Sequence, residues 1–143
     1  MSLADPPVGR GFLVAYGIAY LGAFVGVAPL LQILAPLRAS LIAGPDKVAV
    51  YSLAMIGGCL AAGVGNVAAG VLSDRTVCRF GRRKPWILIG GLLTAACYGL
   101  ILSATTPVAL VAAMIGYQLA FNLMFSPLAA LYADRVSEES RGP

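Results

Sequence analysis

From Gly11 to Leu37, from Val48 to Ser73 and from Pro85 to Ala133 the sequence contains no Asp, Glu, Lys or Arg. Uncharged apolar runs of this length do not belong to ordinary soluble helices, whereas about 20 such residues in a helix span the roughly 30 Å hydrocarbon layer of a bilayer. Gly44-Pro45-Asp46 and Thr105-Thr106-Pro107 are turn signals that divide the runs. The pattern predicts an all-α membrane protein with four transmembrane helices, at about 11–37, 48–73, 85–104 and 108–133. Composition agrees: 59% of the residues are hydrophobic and 11% charged, and the mean hydropathy of +0.87 lies far outside the soluble range. The lipid bilayer is therefore the first expected partner. The net charge of +4 is no nucleic-acid footprint, because the basic residues gather beside the spans, where contact with anionic lipid is the simpler use.

Five of the ten basic residues fall in one loop, 74–84, which reads Asp74-Arg75-Thr-Val-Cys-Arg79-Phe-Gly81-Arg82-Arg83-Lys84. Asp74 sits at the C-terminal end of the second span, where converging carbonyls and the helix dipole disfavour a negative charge, so it needs a cationic partner. Arg75, Arg79, Arg82 and Arg83 are the local candidates. Gly70 permits close helix approach, Gly81 a turn that other residues resist, and Pro85 suits the first turn of the following helix. Such a loop could form a latch.

The spans are rich in small residues. Gly57, Ala61, Gly65 and Ala69 recur at every fourth position, with Gly58, Ala62, Asn66 and Gly70 on the adjacent ridge, so the second helix offers a broad face for tight packing. On the fourth span Gln118, Asn122 and Ser126 share one face. Two readings of that face stand side by side: amides that hydrogen-bond neighbouring helices as packing glue, or a polar cavity wall whose donors and acceptors suit a hydroxyl-rich ligand. Pro29 is positioned to kink the first span, where Tyr16, Tyr20 and Phe24 form an aromatic stripe. Arg38 to Lys47 reads as a short polar loop.

Enzyme chemistry finds no footing. The sequence has no His, no carboxylate pair within a span, no nucleophile-elbow motif and no phosphate-cradling glycine loop. Cys59, Cys78 and Cys97 lack metal-ligand or disulfide-framework spacing. No cofactor is expected.

Gly70-x-x-x-Asp74-Arg75 followed by Gly81-Arg82-Arg83 resembles the loop between the second and third helices of the major facilitator superfamily. The longer form, SDRTVCRFGRRKPWILIG, is similar to that of sucrose transporters and of the glycoside-pentoside-hexuronide symporters. The C-terminal Asp134, followed seven residues later by Arg141-Gly142, resembles the loop after the fourth helix of the same superfamily. The resemblance implies a secondary transporter working by alternating access, with Gly70, Asp74, Arg75, Gly81, Arg82, Arg83, Asp134 and Arg141 as a cytoplasmic latch. It implies that the first and fourth helices line the cavity, which makes Tyr20, Phe24, Gln118 and Asn122 the substrate-facing candidates for a small polar solute, such as a sugar. It also implies twelve helices in all, so the chain is expected to be an N-terminal fragment, about the first third, whose further partners are the remaining helices.

Lys and Arg are counted eight to two in favour of the side holding both termini and the Asp74 loop: Arg10, five loop residues, Arg135 and Arg141 against Arg38 and Lys47. The positive-inside rule then places both termini in the cytoplasm of a multi-pass protein of the cell membrane, a bacterial inner membrane being the expected setting. The chain departs from cation-coupled relatives in having no ionisable carboxylate or base within a span. Such a charge costs about 2.5 to 3.5 kcal/mol and is retained mainly where ions bind, so either coupling to protons or sodium resides in helices outside this chain, or it uses other residues, or transport is uncoupled. The competing reading is a four-helix membrane scaffold that packs through its small-residue faces without transporting. A dimeric four-span exporter fits less well, since it would need an intramembrane acid.

Overall fold

The computed structural model describes residues 9–76, 79 and 83–135, the last three of these by backbone alone. Among them every regular element is helical: α1 (Arg10–Pro29), a π-helical segment (Leu30–Leu34), α2 (Ala35–Ala43), one 3₁₀ turn (Gly44–Asp46), α3 (Lys47–Arg75), α4 (Lys84–Ser103) and α5 (Pro107–Arg135).

A proline lies on each side of the π segment. Pro29 closes α1 and Pro36 lies in the first turn of α2; Pro36 has no N–H to offer the carbonyls of the turn before it, and that turn widens. The Ala35 amide donates to the Leu30 carbonyl, five residues back. The corresponding partner of the Leu31 carbonyl would be Pro36, which has no donor. Tyr51 supplies one: its hydroxyl donates to Leu31 O at 2.9 Å.

That bond also shows that the chain reverses. Twenty residues of straight helix would separate Leu31 from Tyr51 by about 30 Å. The reversal is made at Gly44, whose φ of 51° is the one positive value among the described residues and is a conformation that favours glycine. By length and composition three helices could cross a membrane: the 66-residue run Arg10–Arg75, which contains this reversal, Lys84–Ser103 and Pro107–Tyr132. The sequence divides the first run into two spans with a loop from 38 to 47. The structure instead carries helix through Ala43 and leaves only the Gly44–Asp46 turn. Arg38 is the reason: it is a helical residue whose Nη2 donates to the Ala104 carbonyl.

The central helix is α5, packed between α3 and α4. The face that α3 buries is Ala54, Gly58, Ala61, Gly65, Ala69 and Ser73, the four-residue repeat of small side chains. At Gly58 a Cβ would stand 3.0 Å from Gln118 Cγ, and at Gly90 of α4 it would stand 2.5 Å from the Met124 backbone nitrogen of α5. Without strong hydrophobic drive inside a bilayer, this close approach supplies the dispersion that holds such helices together. A buried cluster containing Leu30, Ala35, Ala39, Ile101, Leu110, Met114 and Tyr117 closes the end of the bundle near Gly44. Large apolar side chains such as Val25, Leu60, Val67 and Val108 point outward, the inverse of a soluble fold.

Candidate functional site

The loop between α3 and α4 is strapped at both ends. Asp74, next to last in α3, meets Arg83, the N-cap residue of α4, at 3.2 Å between Oδ1 and Nη2. Arg83 is 8% exposed and Asp74 56%, so the guanidinium is embedded and the carboxylate stays open to its surroundings. Both charges stand at the wrong helix end: an anion at the negative terminus of α3 and a cation at the positive terminus of α4. Each placement is opposed by roughly 0.3–1 kcal/mol. The pair is therefore held by mutual attraction and against local preference.

A second strap lies beside it. Trp86 Nε1 donates to Thr76 Oγ1 at 2.8 Å, and Thr76 Oγ1 donates to the Leu72 carbonyl at 2.7 Å. The indole thus ties the first turn of α4 to the end of α3. Gly70 faces Ser126 of α5, whose Oγ would lie 3.7 Å from a Cβ there, and Ser126 Oγ donates to the Asn66 carbonyl at 3.1 Å. Arg75 closes α3 and is exposed. Gly81, Arg82 and Arg141 lie outside the described residues, as does the side chain of Asp134, whose backbone is in the last turn of α5.

The four cavity candidates divide into two groups. Tyr20 and Phe24 meet with their rings tilted by 43° and centroids 5.3 Å apart, and both meet Phe125 of α5, at 5.1 and 5.8 Å. They belong to a longer ladder: Phe12 and Tyr16 extend it along α1, Tyr16 reaches Tyr132, and Phe125 continues through Phe121 and Tyr117 to Tyr98 of α4. Gln118 and Asn122 are placed against α3 instead. Gln118 is 9% exposed and lies over Gly58, while Asn122 packs beside Gly65 and donates its Nδ2 to the Gln118 carbonyl at 2.8 Å.

Beside the ladder, between α1, α4 and α5, lies a cavity of about 480 Å³ lined by Gly22, Gly26, Tyr98, Tyr117, Phe121 and Met124 among others. Its walls are mostly apolar, with aromatic faces that could cover the C–H face of a ring-shaped solute. Tyr117 and Phe121 line the cavity and Phe125 continues the ladder; sequence reasoning does not single them out, although their four-residue spacing repeats that of Tyr16, Tyr20 and Phe24. No group of three or more His, Cys, Asp or Glu placed to hold a metal occurs among the described residues.

Residues 3–142, nearly the whole chain, match the family model described as Major Facilitator Superfamily. Neither a curated protein nor a solved structure matches the chain.

Proposed function

The chain belongs to the Major Facilitator Superfamily, a family of membrane transporters, and from that premise we propose that it serves to move a small polar solute, a sugar or a related compound, by alternating access. The observation that carries this reading is the Asp74–Arg83 pair at 3.2 Å, which ties two helix ends together against their own dipoles. A contact of that kind is suited to closing and releasing.

In this reading the hairpin and the two later helices cross the cell membrane four times, with both termini and the 74–84 loop in the cytoplasm, as the Lys and Arg distribution favours. Gly70, Asp74, Arg75, Gly81, Arg82 and Arg83 form the latch, and Asp134 and Arg141 extend it. Tyr20 and Phe24 present rings to the solute, and Gln118 and Asn122 present amides once α5 turns them from α3. The chain acts as the first part of a larger transporter, and any coupling to protons or sodium belongs to the rest. The solute class is supported by the aromatic ladder and by the resemblance of the 74–84 loop to those of sugar carriers.

The test is uptake of a panel of labelled sugars, polyols and amino acids into vesicles containing the complete transporter. Saturable uptake of sugars in preference to amino acids is expected. Amino-acid uptake without sugar uptake would reject the solute class, and the absence of saturable uptake of any polar solute would reject the transport reading.

A further inference from the structure

The two halves of the first helical arm are held very differently. Beyond the π segment, α2 is pinned in two ways: Arg38 Nη2 donates to Ala104 O across 66 positions of sequence, and Ala35 and Ala39 are each 1% exposed in the buried cluster. Before it, α1 buries only Ala23 and meets α5 through aromatic rings with a cavity of about 480 Å³ alongside.

Arg38 is the unusual member. Ala104 follows the last residue of α4, so the guanidinium caps the negative end of that helix with a charge-assisted bond in the favourable direction. Its Nε is buried and has no hydrogen-bond partner, a state that costs free energy and that a residue placed only for packing would not incur. Arg38 is partly buried, with its Nε enclosed and its Nη2 on one carbonyl. That carbonyl lies at the opposite end of α4 from Arg83.

From these observations we infer that the π segment Leu30–Leu34 is the pivot on which α1 moves, and that Arg38 is the positioning residue that keeps α2 fixed to α4 while it does so. Its purpose rests on the transport reading, but its geometry does not. A π turn flanked by prolines has fewer backbone bonds to break than an α-helical turn, so bending concentrates there. Tyr51 of α3 holds the Leu31 carbonyl within the pivot, which gives the bend a fixed point from which α1 extends. Aromatic contacts between α1 and α5 can re-pair along a ladder of similar rings.

The experiment is pulsed dipolar EPR on the full chain in nanodiscs, with Cys59, Cys78 and Cys97 replaced by alanine. One pair of spin labels is placed at the exposed positions Ile18 and Leu92, reporting α1 against α4; the other is placed at Leu41 and Leu102, reporting α2 against α4. The first distance distribution is expected to be broad or two-peaked, and the second narrow. Arg38→Gln is expected to at least double the width of the second, and Arg38→Lys, which keeps a cationic donor, to leave it narrow. Should Arg38→Gln fail to insert, Arg38→Met, which keeps the length of the side chain without a donor, carries the same readout. A Leu41–Leu102 width unmoved by these substitutions overturns the proposal, as does a wild-type Ile18–Leu92 distribution equally narrow. A transporter that moves no solute yet shows the predicted widths loses the transport reading and keeps the pivot. One that transports while α2 stays rigid without Arg38 does the reverse.

Discussion

Asp74 and Arg83 each oppose the dipole of the helix they terminate, and exchanging them would put an anion at the N-terminus of α4 and a cation at the C-terminus of α3. The exchanged pair, Asp74→Arg with Arg83→Asp, gains roughly 1–4 kcal/mol from the reversed dipole terms. Thermal unfolding in detergent should show the double variant at least as stable as the wild type and more stable than either single variant. A double variant less stable than both would mean that packing around the buried Arg83, and not charge, holds the loop. Glycines give a second residue-scale test. Gly90→Ala drives a methyl to 2.5 Å from the Met124 backbone nitrogen, whereas a Cβ at Gly99 meets nothing within 4 Å. Gly90→Ala is expected to cost roughly 1–3 kcal/mol by overpacking, and Gly99→Ala to stabilise slightly through helix propensity, measured by the same unfolding assay.

Among the elements, the small-residue face of α3 was legible because a period near four is a local property and the burial of Ala54, Gly58, Ala61, Gly65 and Ala69 follows from it. The face of Gln118, Asn122 and Ser126 on α5 was legible as a stripe. Spacing says which residues share a face but not which neighbour the face meets, and it is α3 that Gln118 and Ser126 meet. Arg38 was read as a loop cation because charge and the nearby Gly-Pro-Asp signal both favour a loop, while its acceptor, Ala104 O, lies 66 residues away. The π segment was likewise hidden: Pro29 announces a kink, but the register depends on Pro36 and on a donor from Tyr51. This makes a coupled prediction. Tyr51→Phe should cost about 1 kcal/mol, and much less in a Pro36→Ala background, where position 36 regains an N–H for the Leu31 carbonyl. A double-mutant cycle on unfolding free energies reads the difference, and strict additivity would reject the account of the π turn.

For the molecule as a whole, the division into apolar runs and one basic loop gave the helical class directly, since a bilayer leaves little other choice for such runs. It did not give the joining of α1, α2 and α3 into one helical run of 66 residues, because the three-residue 3₁₀ turn Gly44–Asp46 is shorter than any loop the charges suggested. Topology can be checked separately from transport. With the native cysteines removed, Lys84→Cys is expected to react with a membrane-impermeant maleimide only from the cytoplasmic side and Asp46→Cys only from the opposite side. Reaction of both from one side would contradict a hairpin that crosses the membrane twice. The central claim is that the Asp74 carboxylate works as a releasable latch in a solute carrier, and solute uptake by the complete transporter carrying Asp74→Asn measures it most directly. The account predicts that uptake is abolished while membrane insertion is unchanged; uptake at the wild-type rate would contradict it.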